Sequence, residues 1–298
     1  MPNLNTLTVY LGSSGNARPV FQDAALRLGT MIGRSRRRLV YGGMDAGLMG
    51  LIATHALKAG GEVTGVIPQK LKDSERILQN LSETVLVGDL WERKRRMFDM
   101  ADAVIALPGG FGTLDEALEI LYWAHLGLHN KPLVLVNVEG YWTPIIEFLR
   151  KQKDFKPEFL IAADAPEDII PRLEAWDAPT APVSPAKDFP HFEAEISRAT
   201  DEPIILAKSS VETAYLGACA LGLKQLGKHK RAIGFLNKGK QFDELLRWIQ
   251  KAAEEKFITP KCLQLFSMAE DEKRLNELLS AQLPVAIDLH ADKWGARR

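Results

Sequence analysis

Short apolar runs alternate with amphipathic stretches from residue 6 to about residue 175. Six runs are rich in β-branched and aliphatic residues, and the segments between them have helical periodicity. Neighbouring parallel strands need crossover connections, which strand–helix alternation provides. The pattern therefore predicts a doubly wound, Rossmann-like α/β domain whose parallel sheet is covered on both faces. The predicted strands are 7–11, 38–41, 62–67, 84–87, 103–107 and 133–137.

A proline-rich segment separates this domain from the rest of the chain. Four prolines lie within residues 178–190, with few large apolar side chains between them, as in a linker. A strand–helix pattern then resumes, which predicts a second, smaller α/β domain. The expected division is a first domain at 1–177, a linker at 178–190 and a second domain at 191–298.

The second domain resembles part of the first. Residues 202–249 align without a gap on residues 102–149, each residue number being 100 higher. The copy lacks the three glycines of the turn at 109–112, and Leu216 replaces Glu116. We interpret it as a degenerate half-repeat that packs where a second subunit would lie, the alternative being an unrelated α/β extension. The identical pairs are Ile105/Ile205, Thr113/Thr213, Leu121/Leu221, Leu126/Leu226, Gly127/Gly227, His129/His229 and Asn137/Asn237.

Glycine-containing turns follow three of the predicted strands, at 12–15, 42–43 and 109–112. In open α/β sheets, ligands bind at the carboxyl ends of the strands. Glycines let the backbone approach an anion, and the unpaired N–H groups of a following helix favour negative charge. The last turn therefore predicts a phosphate site. Glu116 lies one helical turn further on, where a bound phosphate would repel its carboxylate. A carboxylate at such a position suggests a chemical role, so Glu116 is a candidate catalytic residue.

The composition is that of an ordinary soluble protein. Hydrophobic residues make up 46%, charged residues 26%, and 38 basic side chains balance 38 acidic ones. We expect no nucleic-acid or membrane partner and a cytoplasmic location, because residues 1–11 lack a signal-peptide pattern and no apolar run approaches about 18 residues. Cys219 and Cys262 are too few and too far apart for a disulfide framework or a metal cluster.

Three further segments accompany the turn before Glu116: residues 39–50, 92–97 and 123–132. With Pro108-Gly109-Gly110-Phe111-Gly112-Thr113-Leu114-Asp115-Glu116, they resemble, in order and spacing, the LOG family of nucleoside 5′-monophosphate phosphoribohydrolases. Members of that family were often labelled lysine decarboxylases. The resemblance covers residues 5–150, about half of the chain.

The resemblance implies hydrolysis of the N-glycosidic bond between a purine base, AMP-like or a cytokinin, and ribose 5-phosphate. It implies no cofactor and no metal. By motif match, Arg93 and Glu116 take the catalytic positions. The expected substrate-binding residues, from the motif match and from the turns at strand ends, are Gly12, Ser13, Ser14, Gly43, Glu75, Lys94, Gly109, Gly110, Phe111, Gly112, Thr113 and Asp115.

This chemistry suits the residue types. Departure of the base develops oxocarbenium character, which a carboxylate such as Glu116 stabilises while it orients or deprotonates water. The guanidinium of Arg93 can hold the phosphate or fix the carboxylate in bidentate geometry. The carboxylate of Glu75 can accept hydrogen bonds from ribose hydroxyls.

Other interpretations remain open. A nucleotide sensor or carrier would use the same phosphate loop without turnover. Lysine decarboxylation with pyridoxal phosphate lacks a lysine in a recognisable Schiff-base context. His125 and His129 have the spacing of a metal pair but no acidic partner motif, so we expect packing or surface roles.

Departures from the family pattern leave the base undetermined. They are found at Met44, Trp91, Arg95, Tyr122 and His125. Members of the family are generally dimers. We therefore expect either a homodimer through the first domain or a monomer whose second half forms an intrachain pseudo-dimer.

Overall fold

The computed structural model describes residues 4–71, 77–180, 183 and 188–288. Within these residues no helix combines the length and the apolar character needed to cross a lipid bilayer. The strands are β1 Thr6–Tyr10, β2 Arg38–Tyr41, β3 Val63–Pro68, β4 Glu83–Val87, β5 Ala103–Ala106, β6 Leu133–Val136, β7 Leu160–Ala163, β8 Ile204–Leu206, β9 Ile233–Leu236 and β10 Ser267–Ala269. The helices are α1 Pro19–Arg34, α2 Gly47–Lys58, α3 Leu90–Met100, α4 Phe111–His125, α5 Thr143–Arg150, α6 Ile169–Glu174, α7 Glu193–Ile196, α8 Val211–Gln225, α9 Asp243–Glu254 and α10 Glu272–Ser280.

The first seven strands form one parallel sheet in the order β4-β3-β2-β1-β5-β6-β7. The predicted doubly wound α/β fold is confirmed, and all six predicted strands are present with small changes of boundary. The sequence pattern missed β7. The chain reverses its winding direction between β1 and β5, and ligands bind at such a switch point in open α/β sheets.

The second sheet has the order β10-β9-β8 and is also parallel. Its pairing Ile204↔Ile233 has the register of Val104↔Leu133 in the first sheet, with both residue numbers raised by 100. The elements β8-α8-β9-α9 thus follow the order of β5-α4-β6-α5. The predicted second, smaller α/β unit is confirmed.

The two repeat histidines make matching hydrogen bonds. Nε2 of His129 bonds to the carbonyl oxygen of Ile120 at 2.8 Å, and Nε2 of His229 bonds to that of Ala220 at 2.9 Å. Burial lowers the pKa of His129 to about 4, so its ring is neutral at pH 7. These histidines hold the chain after α4 and α8 in place, as packing residues do.

The first half of the chain contains the seven-stranded sheet, and the second half contains the three-stranded sheet. The two halves pack through α4 against α8 and through α5 against α9. Trp142 stacks on Trp248 with ring centroids 5.6 Å apart, and Phe148 stacks on Phe242 at 6.4 Å. Raising or lowering each number by 100 exchanges one pair for the other. This reciprocity is that of an isologous interface between two subunits. Both halves contribute to one shared hydrophobic core.

The N-terminus of α8 is closed by a carboxylate from the first half. Both oxygens of Asp154 accept the backbone N–H of Val211, at 3.0 and 2.8 Å, and one accepts that of Glu212 at 3.3 Å. The hydroxyl of Ser210 accepts the N–H of Thr213 at 2.9 Å. The helix end that matches the predicted phosphate site therefore already holds an anion.

A buried ion cluster also joins the halves. Nζ of Lys94, on α3, lies 3.0 Å from Asp115, 3.1 Å from Glu119 and 2.5 Å from Glu193. Tyr215, on α8, donates its hydroxyl to Glu119. Burial raises the pKa of Glu119 to about 8 and that of Asp115 to about 6, although Lys94 opposes both shifts.

Loss of the Asp154 carboxylate should destabilise the protein. Asp154→Ala removes the acceptor for two helix N–H groups, and we expect the free energy of unfolding to fall by about 1 kcal/mol, the usual cost of losing such a cap. Asp154→Asn keeps an acceptor oxygen and should recover most of the loss. Urea denaturation measures both variants, and an Ala variant as stable as wild type would contradict this role.

The titration of Glu119 should make stability depend on pH. Its folded pKa of about 8 exceeds its ordinary 4.5, so its stabilising contribution is present at low pH and is lost as the pH rises through this interval. Glu119→Gln cannot titrate. As the pH rises from 5 to 8, the wild-type unfolding free energy should therefore fall, relative to that of the variant, by more than about 1 kcal/mol, which is the order of one pKa unit.

Urea denaturation at several pH values between 5 and 8, on the order of four points, would measure this difference. Glu254→Gln, at an exposed position of α9, is the matched control. The difference in unfolding free energy between wild type and this variant should stay constant with pH. A difference between wild type and Glu119→Gln that stays constant with pH would refute the prediction.

Candidate active site

The glycine turns after β1 and β5 lie side by side at the switch point. The N–H of Gly12 donates to the carbonyl of Pro108 at 3.1 Å. A Cβ atom added to Gly12 would lie 3.2 Å from Cα of Gly109, and one added to Gly109 would lie 2.9 Å from the backbone N of Gly12. Glycine at both positions thus allows the two backbones to touch.

The second of these turns leads directly into α4. Within the described residues, α4 has no side-chain cap at Gly110, in contrast to α8. A Cβ atom added to Gly112 would meet no atom of the described residues within 4 Å, so these residues leave space beside the first turn of the helix. The helix dipole and the backbone N–H groups of this turn favour an anion there.

A buried tyrosine fixes the back of this loop. The hydroxyl of Tyr141 donates to the carbonyl oxygen of Gly109 at 2.5 Å. Burial raises the pKa of Tyr141 well above its ordinary value, so the hydroxyl keeps its proton. Because the carbonyl is held from behind, the loop has a defined position before any ligand binds.

Arg93 reaches across from α3 to the same edge of the sheet. The side chain of Asp89 caps α3 by accepting the N–H of Glu92 at 2.8 Å. Nε of Arg93 donates to the carbonyl of Val66 at 3.1 Å. A Cβ atom at Gly42 would lie 1.6 Å from Nη2 of Arg93, so only glycine there leaves room for the guanidinium.

The two expected catalytic residues lie together. Nη1 of Arg93 is 3.8 Å from Oε1 of Glu116, and their side chains are 17% and 13% exposed. Partial burial strengthens their mutual attraction, because water screens the charges less than at the surface. The pair is therefore a partly buried arrangement of opposite charges at this edge of the sheet.

The turn after β1 also contacts the second half of the chain. Oγ of Ser14 donates to the carbonyl of Lys256 at 2.7 Å. A Cβ atom at Gly12 would lie 2.7 Å from Cδ1 of Phe257. Ser14 is buried, so its hydroxyl supports the loop. The structure brings this turn and residues 109–113 together, as the sequence predicted.

Other expected binding residues have different surroundings. The charged atoms of Lys94 and Asp115 bond to each other within the buried ion cluster, and their contact with a nucleotide stays a prediction. Phe111 is fully buried and packs on Trp248, so its side chain supports the start of α4. Gly43 has a positive φ of 76° in the turn after β2. Glu75 lies outside the described residues.

Sequence reasoning did not assign Tyr10, Tyr41, Tyr141 or Phe257 to the site. The hydroxyls of Tyr10 and Tyr41 are buried and have no hydrogen-bond partner within the described residues. Burial and the nearby charge of Glu116 raise the pKa of Tyr10. For Tyr10 and Tyr41, the sequence signal that could have found them was a tyrosine at the end of a predicted strand. Phe257 had none, because its partners are far away in the sequence.

Within the described residues, one group has the spacing of metal ligands. It consists of Asp115, Glu193 and Cys219, whose ligand atoms, one from each residue, all lie within 4.8 Å of one another. The ammonium of Lys94 lies 3.0 Å from Asp115 and 2.5 Å from Glu193. A cation is thus already present between the two carboxylates. The arrangement suits a structural ion cluster.

The arrangement can hold an anion and a polar substrate side by side. The first turn of α4 offers backbone N–H groups to a phosphate, and Glu116 lies on the same helix about one turn further. Arg93 supplies a guanidinium to the carboxylate. A carboxylate beside a bound anion can stabilise positive charge that develops on a neighbouring group.

Comparison with known proteins adds independent findings. The family model described as possible lysine decarboxylase matches residues 49–169 and 219–279, so it includes parts of both halves. The chain is 41% identical over 174 residues to the cytokinin riboside 5′-monophosphate phosphoribohydrolase LOG5 of Arabidopsis thaliana, covering 56% of this chain and 76% of that protein. It is 40% identical to the probable enzyme LOGL2 of Oryza sativa subsp. japonica, over 56% of this chain and 71% of that protein.

Among solved structures, a molybdenum cofactor binding protein from Rippkaea orientalis aligns with a TM-score of 0.47 and 23% identity, over 59% of this chain and 98% of that one. The sequence relatives carry the assignment, since the resemblance expected from the motifs before Glu116 is found independently at about 40% identity. The chain is a member of the LOG family.

Proposed function

We propose that this protein hydrolyses the N-glycosidic bond of a purine nucleoside 5′-monophosphate, with AMP as the first substrate to test. The observation that carries the proposal is the Arg93–Glu116 pair, 3.8 Å apart beside the glycine turns at the switch point. The printed names of its relatives, cytokinin riboside 5′-monophosphate phosphoribohydrolases, agree with this reaction class. Products would be the free base and ribose 5-phosphate.

The phosphate would bind at the first turn of α4. The N–H groups of Gly110 to Thr113 face a region without a side-chain cap within the described residues, and the open space at Gly112 accommodates the phosphate oxygens. A phosphate bound at this helix start would lie about one turn of α4 from Glu116. The ribose attached to it would then extend towards Glu116.

The chemical step needs a water molecule and a departing base. The bond between the anomeric carbon and the base nitrogen breaks, the electron pair leaves with the base, and the ring carbon gains positive character. Glu116 stabilises this charge and accepts a proton from the attacking water, whose oxygen forms the new bond to carbon. The departing base takes up a proton from solvent, and Glu116 returns its proton to solvent, so the carboxylate is regenerated. The guanidinium of Arg93, 3.8 Å from the carboxylate, attracts it electrostatically and so limits the directions in which it can point.

The panel that tests the reaction contains AMP, GMP, CMP, a cytokinin riboside 5′-monophosphate and adenosine. Chromatographic detection of the free base identifies turnover. Adenosine should be a poor substrate, because it lacks the phosphate that α4 binds. Binding of AMP without base release by the wild-type protein would favour a sensor or carrier and overturn the proposal.

Replacement of the proposed catalytic carboxylate should abolish base release. Glu116→Gln keeps the size of the side chain and removes its charge, so kcat should fall by roughly 100-fold or more, the range of a general base, while AMP binding stays measurable by calorimetry. Glu277→Gln, at an exposed position of α10, is the control and should retain full activity. Near-wild-type turnover by Glu116→Gln would eliminate Glu116 as the base.

Arg93→Lys should separate charge from geometry. The ammonium keeps the positive charge but cannot donate to Val66 and face Glu116 at once. We expect kcat/KM for AMP to fall by about 10- to 100-fold, corresponding to the loss of one charge-assisted contact. Arg96→Lys, an exposed position on the same helix, should change kcat/KM less than about twofold, within the range expected away from the site. Equal effects at both positions would argue against a specific role for Arg93.

A further inference from the structure

The segment after α9, residues 256–258, contacts and supports the two glycine turns of the site. The φ of Lys256 is 62°, which turns the chain sharply at the end of the helix and sends Phe257 inward. Phe257 is fully buried, and its ring lies 5.1 Å from that of Tyr141 and 5.2 Å from that of Phe21. Tyr141 is the residue that holds the carbonyl of Gly109.

The same segment touches both turns directly. A Cβ atom at Gly12 would lie 2.7 Å from the ring of Phe257, and one at Gly110 would lie 2.8 Å from the carbonyl oxygen of Phe257 and 3.0 Å from Cγ2 of Ile258. The hydroxyl of Ser14 donates to Lys256 at 2.7 Å. Both glycine turns thus lie on residues 256–258, which belong to the second half.

An ion pair holds this segment to the first half. Nε of Arg18, just before α1, lies 2.6 Å from Glu255. Arg18 also bonds to Glu139 at 2.5 Å. Pairs this close to the surface contribute little stability, but they fix the direction in which the chain leaves α9.

The related position in the other half is different. The segment after α5 sends Asp154 to the N-terminus of α8, where its carboxylate occupies the N–H groups. The segment after α9 sends Ile258, which has no acceptor in its side chain, to the N-terminus of α4. One end of the pseudo-symmetric pair is closed by a carboxylate, whereas the other has no side-chain cap from any residue that the structure describes.

We propose that the second half serves as a built-in partner subunit: Phe257 is a positioning residue for the two glycine turns, and the chain holds one substrate site because Asp154 closes the other. The positioning role of Phe257 applies to the protein without ligand. The inference of one substrate site per chain rests on the function proposed above.

Amide hydrogen exchange of the ligand-free full chain tests the positioning role. Phe257→Leu keeps an apolar side chain but leaves a gap under Gly12, and it should accelerate exchange in residues 12–15 and 109–113 by about tenfold, equivalent to about 1.4 kcal/mol of local opening. Phe235→Leu is the matched control, since Phe235 is also fully buried and packs within the second half on Phe242 and Phe266.

Faster exchange confined to the two turns in Phe257→Leu supports the proposal. Unchanged exchange in that variant, or equal acceleration by Phe235→Leu, overturns it. In turnover assays the Phe257 variant should raise KM for AMP about fivefold with kcat within about twofold of wild type, because a displaced phosphate loop weakens binding more than chemistry. A general loss of folded protein would instead lower the apparent kcat in both variants.

Calorimetry with AMP and the Glu116→Gln protein counts the sites. One AMP per chain is expected, and two per chain would overturn the closure by Asp154. If AMP does not bind at all while Phe257→Leu still accelerates exchange in the two turns, the proposed function fails and the positioning role stands.

Discussion

The outer face of α4 must be buried, and the rest of the structure depends on how this is achieved. The helix is apolar almost all round, with buried residues on nearly every turn, and a helix of this kind is stable only when neighbours cover all its sides. The sheet covers one side and α8 covers another. Because α4 carries both the glycine turn that we propose binds phosphate and Glu116, the packing of α8 determines where both of these groups lie.

The ion cluster around Lys94 gives this packing its register. Removing an ammonium and three carboxylates from water is costly, and such groups are tolerated only when each finds its partner. A sliding of α8 along α4 would separate Tyr215 from Glu119 and leave a buried carboxylate with one partner fewer. Apolar contacts alone allow several alignments with similar burial, whereas the hydrogen bonds of the cluster exist in one.

Local patterns in the sequence predicted six of the seven strands of the large sheet and the glycine turns, and the motif match assigned Arg93 and Glu116 to one site. Each depends on residues close in sequence or on a motif with a fixed place at a strand end. The support of the turns by Phe257 was not predictable, because it arises from a contact across more than half of the chain. The surroundings of Lys94 were also missed. Its neighbours in sequence are basic, and its three carboxylates come from α4 and from α7.

The carboxylate of Asp154 at the start of α8 acts as a tethered ligand. A working phosphate site is empty or filled according to the concentration of its ligand, and it stabilises the fold only while it is filled. A carboxylate attached to the chain is present at a high effective concentration under every condition. The second half therefore keeps its helix end satisfied without any metabolite, and its contribution to the fold is independent of substrate supply. Such a half can serve as a permanent support for the half in which we propose that a nucleotide binds.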